Sequence, residues 1–224
     1  MNGAGGTIDC ISYINKLTNM AGTNHSLFIS AGAVSYGNTN WYFDDTQCCY
    51  GVDPIGMGAE QALVQEDISS NSIVYTNVYP DCGSLACHIT NGSNLAGYFC
   101  WGEHSSLGGG YASNGSVIWT GDSGWYLMET IESFNGERDG DGFQGNFVDW
   151  FAANAFNGTN YNSYNYTNTP VGVISTVDEP GLGRSGNPAL YFGLWARGHT
   201  FGICAWNAIG SPEFQAVGDP FVTR

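Results

Sequence analysis

Residues 95–136 read LAGYFCWGEHSSLGGGYASNGSVIWTGDSGWYLMETIESFNG. Two apolar runs, 95–101 and 125–131, have the length and aromatic content of buried strands. Each gives way at once to a polar segment. The first segment carries Glu103 and His104; the second carries Glu132, Ser133, Asn135 and Gly136. In an open α/β sheet, ligands bind in the crevice outside the carboxyl ends of the strands. The spacing therefore predicts that His104 and Ser133, far apart in sequence, meet at one edge of a sheet.

Working outward, strands and helices alternate. Towards the amino terminus, Thr7 and Asp9 precede Ile11, Ile14, Leu17 and Met20, a cap followed by a helical apolar stripe. Residues 26–31 and 72–78 read as strands, 57–68 as a helix, and 32–58 as a long aromatic loop. Residues 117–120 suggest a short strand in a hairpin. Towards the carboxyl terminus, 143–156 and the pair 188–196 and 200–208 read as helices, the pair split by Gly198. Residues 171–177 and 213–217 read as strands. The alternation predicts one α/β domain over 1–224, with a mainly parallel sheet and helices on both faces. Its carboxyl edge collects Glu103, His104, Glu132, Ser133, Asp178 and Glu179.

The charge narrows the partners. The chain has 20 acidic residues against five Lys plus Arg, a formal net charge of −15. Nucleic acid needs cations to neutralise its phosphates, so it is excluded as an expected partner, as is an anionic membrane surface. No stretch is apolar for long enough to span a bilayer, and no basic-then-apolar leader opens the sequence. The first residues read as a mature or trimmed terminus. Polarity comes mainly from Asn, Ser, Thr, Tyr and Gly, a mix that suits secreted proteins and extracellular assemblies. Five Asn-x-Ser/Thr sequons begin at Asn24, Asn91, Asn114, Asn157 and Asn165; in so Asn-rich a chain, chance supplies some.

Seven cysteines form no zinc pattern. Cys48, Cys49, Cys82 and Cys87 crowd two turn-rich loops and read as a disulfide group, which favours an oxidising compartment; reduced loop thiols are the plainer account. Cys10, Cys100 and Cys204 lie in apolar contexts and read as small core residues. His25, His88 and His199 have no neighbouring ligand pattern. Trp41, Tyr42, Phe43, Tyr161, Tyr164 and Tyr166 offer a sugar- or protein-binding surface, although aromatics in loops more often pack on their own domain.

Tyr98-Phe99-Cys100-Trp101-Gly102-Glu103-His104-Ser105-Ser106 resembles the strand-then-His-Gly element of caspase-like cysteine peptidases, with the gingipain branch nearest. In that family a second strand ends in Ala-Cys-x-Asn-Gly, whose Cys is the nucleophile. Glu132-Ser133-Phe134-Asn135-Gly136 stands in the matching place. Residues 171–177 resemble the strand after the nucleophile. Val217-Gly218-Asp219-Pro220 resembles the Gly-Asp-Pro that closes the gingipain-type catalytic domain. The likeness spans roughly residues 95–224, carried by the order and spacing of short motifs. It implies a caspase/gingipain-like α/β fold, with a first strand missing because the chain begins inside the fold. Two departures stand out: Ser133 replaces the nucleophilic Cys, and Ser105 replaces the Gly after the His.

The first departure changes the chemistry. A thiol ionises near neutral pH, whereas a serine hydroxyl needs a placed base and an oriented third group. His104 is the candidate base, with Glu103 or Asp178 as its partner. The expectation is an extracellular or cell-surface domain with a degenerate peptidase site, acting as a binding or structural module for a protein or peptide. One alternative is a Ser–His hydrolase of peptides or esters. The other is a self-associating subunit of a filament or surface layer. Glu137, Asp139 and Asp141, with Gly142 following, resemble the start of a calcium loop, and calcium is the one expected cofactor; a solvated acidic turn is the equal alternative. Glu129 and Glu132 invite a glycosidase reading, but positions three apart on a strand face opposite sides, so the pair cooperates only if the strand ends between them.

Overall fold

The two apolar runs fold as neighbouring parallel strands. The chain was obtained as a computed structural model that describes residues 5–21, 39–44, 74–77, 89–102, 117–137, 147–152, 155–156, 166, 168–179 and 186–224. In chain order the elements are helix α1 (Gly5–Ala21), strands β1 (Asn40–Asp44), β2 (Val74–Asn77), β3 (Asn91–Ser93), β4 (Leu95–Cys100), β5 (Ile118–Thr120) and β6 (Leu127–Thr130), the short helix α2 (Phe147–Trp150), strand β7 (Gly172–Thr176), helices α3 (Pro188–Ala196) and α4 (Phe201–Ala208), and strand β8 (Phe214–Gly218).

Among the described residues six strands form one sheet in the order β2-β1-β4-β6-β7-β8. All neighbours are parallel except β7 and β8. The parallel part has a common doubly wound order, which reverses between β1 and β4; β8 closes it with an antiparallel edge. The expected α/β class with a mainly parallel sheet is therefore present.

Several expectations need correction. The stretch 32–58 is not simply a loop, because Asn40–Asp44 is a strand inside the sheet, paired on both sides. Trp41, Tyr42 and Phe43 are consequently buried core residues rather than a binding surface. Among the described residues strand β5 pairs not in a hairpin but in parallel with β3, in a separate two-stranded sheet. Of the helix read over 143–156, Phe147–Trp150 is helical and 151–152 and 155–156 are not, while 143–146 and 153–154 lie outside the described residues. The strand at 26–31, the helix at 57–68 and the cysteines 48, 49, 82 and 87 lie outside the described residues.

Burial on both faces explains why β4 reads as an unbroken apolar run, with all six residues buried. Alternation sends Trp41, Phe43, Phe99, Leu127 and Ile174 to one face, beneath α3 and α4. It sends Tyr42, Tyr98, Cys100, Met128 and Val173 to the other, against Trp119, Trp150 and Phe156. Phe156 stacks on both Trp119 and Trp150, at 6.0 and 6.1 Å between ring centres. Helices α3 and α4 form where the sequence places their caps. Asn187 accepts from Leu190 N, Pro188 takes the first turn, and Thr200 accepts from Ile203 N. Gly198, at φ 80°, turns the chain between them.

Helix α1 is present, but not on the expected stripe. Ile11 and Ile14 are exposed, whereas Lys16 and Leu17 are buried. Cys10 is exposed too, unlike the buried Cys100 and Cys204. The packed face is set by hydrogen bonds as well as by apolar area. Tyr13 Oη donates to Val171 O at 2.6 Å and accepts from Asp219 N at 2.8 Å. Lys16, the only lysine in the chain, donates to Thr169 O, to Thr169 Oγ1 and to Pro170 O.

Burial pushes the Lys16 ammonium down to about 7. Between that value and the ordinary lysine range, the unfolded chain holds a proton that the folded chain does not, so stability rises with pH. The slope from this group reaches about 1.4 kcal/mol per pH unit at most. Burial pushes the Cys204 thiol up to about 12 and raises Tyr13 as well. Those groups act in the opposite sense once the unfolded thiol and phenol begin to ionise. The expected result is a rise in urea-unfolding stability from pH 7 to about pH 9 that Lys16→Met abolishes. A profile identical in the variant would show that the amine is solvated.

Candidate active-site mouth at the ends of β4 and β6

The ladder between β4 and β6 ends with Cys100 opposite Thr130. One more bond, from Glu132 N to Trp101 O at 2.7 Å, carries the pairing past both strands. The chain then leaves β4 through Gly102, at φ 106°, a conformation that an L side chain rarely adopts. A Cβ built on Gly102 would lie 2.0 Å from Asn135 Oδ1. Asn135 is fully buried. The end of β4 at Gly102 thus lies directly against the turn that carries Ser133.

That turn is strained and clamped. Phe134 has φ 61°, unusual for a bulky residue and a feature that collects at functional sites. Asn135 N donates to Glu132 O at 3.3 Å and Glu137 N to Phe134 O at 2.8 Å. The end of β7 holds the turn from the other side. Thr176 Oγ1 donates to Glu132 O at 3.0 Å, and Gly136 N donates to Thr176 O at 2.6 Å. Below them, Thr130 Oγ1 donates to Ser175 Oγ at 2.6 Å, tying β6 to β7. Three strand ends therefore fix one short segment, 132–136.

Ser133 is half-buried. Its backbone N–H donates to Glu132 Oε1 at 3.2 Å, and its carbonyl accepts from Asn135 Nδ2 at 3.5 Å. An acyl-transfer site needs free donors beside the nucleophile for the developing oxyanion. Here the nearest amide already donates to the Glu132 side chain.

Of the other candidate catalytic residues, Asp178 is exposed two residues beyond β7 and accepts from Glu179 N at 2.7 Å. Glu103 and His104 lie outside the described residues, so on the β4 side the mouth is described only as far as Gly102. Glu137 is half-buried and helps close the turn through its backbone, accepting from Phe147 N at 3.3 Å; Asp139 and Asp141 lie outside the described residues. Strand β6 does end between Glu129 and Glu132. Glu129 Oε1 sits 2.4 Å from where a Cβ on Gly186 would lie, and its charge adds to the burial and the Cys204 thiol that raise the Tyr191 phenol.

Residues that sequence reasoning left unassigned are as important as those it named. Gly102 and Thr176 pack against the turn that carries Ser133. The available signals were a glycine directly after an apolar run and a threonine at the end of the next strand. Among the described residues no helix is long and apolar enough to cross a membrane. Comparison with family models, with curated proteins and with solved structures finds no match for this chain.

Proposed function

We propose that the chain is an extracellular caspase/gingipain-like domain with a degenerate peptidase site, and that it acts as a binding or structural module. The observation that carries this reading is the Ser133 turn. A serine occupies the nucleophile position, and its amide is engaged by the Glu132 carboxylate. Support for the fold comes from the antiparallel β8, which ends at Gly218 just before Asp219-Pro220. The carboxyl ends of β4 and β6 also adjoin, as the two family-like motifs require.

The test is hydrolysis. The wild-type chain, offered fluorogenic peptides and activated esters, is expected to turn over neither above the level of Ser133→Ala. A Ser–His hydrolase is the second reading, favoured by the left-handed Phe134 beside a half-buried serine. Turnover lost in both Ser133→Ala and His104→Ala would establish it and remove the first.

A further inference from the structure

We propose that the outer side of α4 is a self-docking surface: Ile203, Trp206 and Ile209, with Phe221 beside them, meet the same residues of a second copy across a two-fold axis. The inference goes beyond the proposed function and stands whatever the Ser133 turn does. Helix α4 buries Phe201, Cys204, Ala205 and Ala208. Its outer side is apolar too, where a surface helix is ordinarily polar. Ile203, Trp206 and, at the C-cap, Ile209 follow one another at intervals of three, and all are exposed, Trp206 by 76%. Residues three or four apart on a helix are neighbours. Phe221, 69% exposed, is carried to the start of α4 by two backbone bonds. Phe201 N donates to Val222 O at 2.8 Å, and Gly202 N donates to Pro220 O at 3.0 Å. Gly202 and Trp206 stand on one side of the helix, so Phe221 and Trp206 belong to one patch.

Charge and area decide the occupant. The chain has a formal charge of −15, and copies of it repel. Residues 186–212 contain no Asp or Glu and one formal charge, on Arg197, so the rest of the chain carries −15 − 1 = −16. The acid next to the patch in sequence, Asp219, accepts from Phe221 N at 2.9 Å. Two copies that approach through α4 therefore keep most of their negative charge apart. An apolar patch is covered best by another, and a two-fold contact supplies one of matching size and closes after two copies. Burying the exposed parts of these four side chains on both copies removes roughly 1,000 Å² of surface, the lower bound for a specific contact. The dimer is accordingly weak, with a Kd between about 10 µM and 1 mM, and Trp206 is its anchor.

Sedimentation velocity of the full chain, from about 1 µM to about 1 mM, reads the association. The expected result is a monomer at the lowest concentration and a dimer at the highest. Trp206→Glu and Phe221→Glu each place an acid in the patch, and each is expected to raise the Kd at least about tenfold. Both side chains are largely exposed, so the variants fold, which unchanged thermal unfolding at about 1 µM verifies. Raising the salt from about 20 mM to about 0.5 M should strengthen the dimer, because it screens the repulsion between acidic copies and leaves the apolar contact intact. A chain that stays monomeric throughout overturns the inference. So does a dimer that both variants leave unchanged, since the copies then meet elsewhere, for example through the exposed Ile11 and Ile14 of α1. A dimer that salt dissociates overturns it too, because its contact is then ionic.

Discussion

Gly102→Ala is expected to destabilise the chain by about 2–5 kcal/mol, from the left-handed backbone and the overpacking together. The backbone is at φ 106°, which disfavours any Cβ. The added methyl would also lie 2.0 Å from Asn135 Oδ1 and 3.2 Å from Thr130 Cβ. Asn135 is fully buried, so its side chain has no open space in which to swing away. Chemical denaturation of the variant measures the loss. The double variant with Asn135→Ala should recover part of the cost, because the clash disappears while the backbone strain remains. A Gly102→Ala protein as stable as the wild type would mean that the end of β4 does not lie against Asn135, and that the shared mouth does not exist.

Phe192→Ala carries the second large effect, about 3–5 kcal/mol, the usual cost of removing a buried phenyl ring. Phe192 is fully buried on α3 and packs edge-on against two aromatics of β1, with ring centres 6.2 Å from Trp41 and 5.4 Å from Phe43. It also fills the space above Gly97 on β4. The ring joins a helix to the two strands between which the sheet order reverses. Trp206→Ala is the control. That side chain is 76% exposed, and its loss is expected to change stability by no more than about 0.5 kcal/mol. Equal losses in the two variants would contradict the placement of β1 beneath α3.

The physical reasons for what could and could not be read differ between elements. Strand β4 was legible because a central strand buried on both faces reads as a continuous apolar run, and β6 and β7 because each carries adjacent apolar residues, Leu127-Met128 and Val173-Ile174. Helices α3 and α4 were legible because their caps, Asn187 with Pro188 and Thr200, stand at the right distance from the apolar residues that follow. Strand β1 escaped because Asn40–Asp44 is five residues long and set in a stretch dense with turn formers. Helix α1 was found but turned, since its buried face includes Lys16, a residue that apolar periodicity counts as surface. The pairing of β5 with β3 depends on long-range contacts that local pattern does not encode.

At the mouth the same division holds. The succession of strand, His loop, strand and Ser loop was visible in the order of motifs. The structure brings the end of β4, at Gly102, against Asn135 in the turn after β6. The clamp by Thr176 was invisible, because it depends on a third strand end arriving 44 residues after Glu132. Phe134 was unreadable for a different reason: a bulky aromatic is among the last residues expected in the left-handed region.

The most direct test of the shared mouth is a nuclear Overhauser measurement on isotope-labelled wild-type protein. Gly102 Hα is expected to show cross-peaks to the side chain of Asn135, alongside a contact between the Glu132 amide proton and Trp101. Those peaks report the close approach of the two loops without altering any residue. If Gly102 instead shows contacts only to its neighbours along β4 and to β1, with the Asn135 side chain assigned and remote, the mouth between β4 and β6 is contradicted.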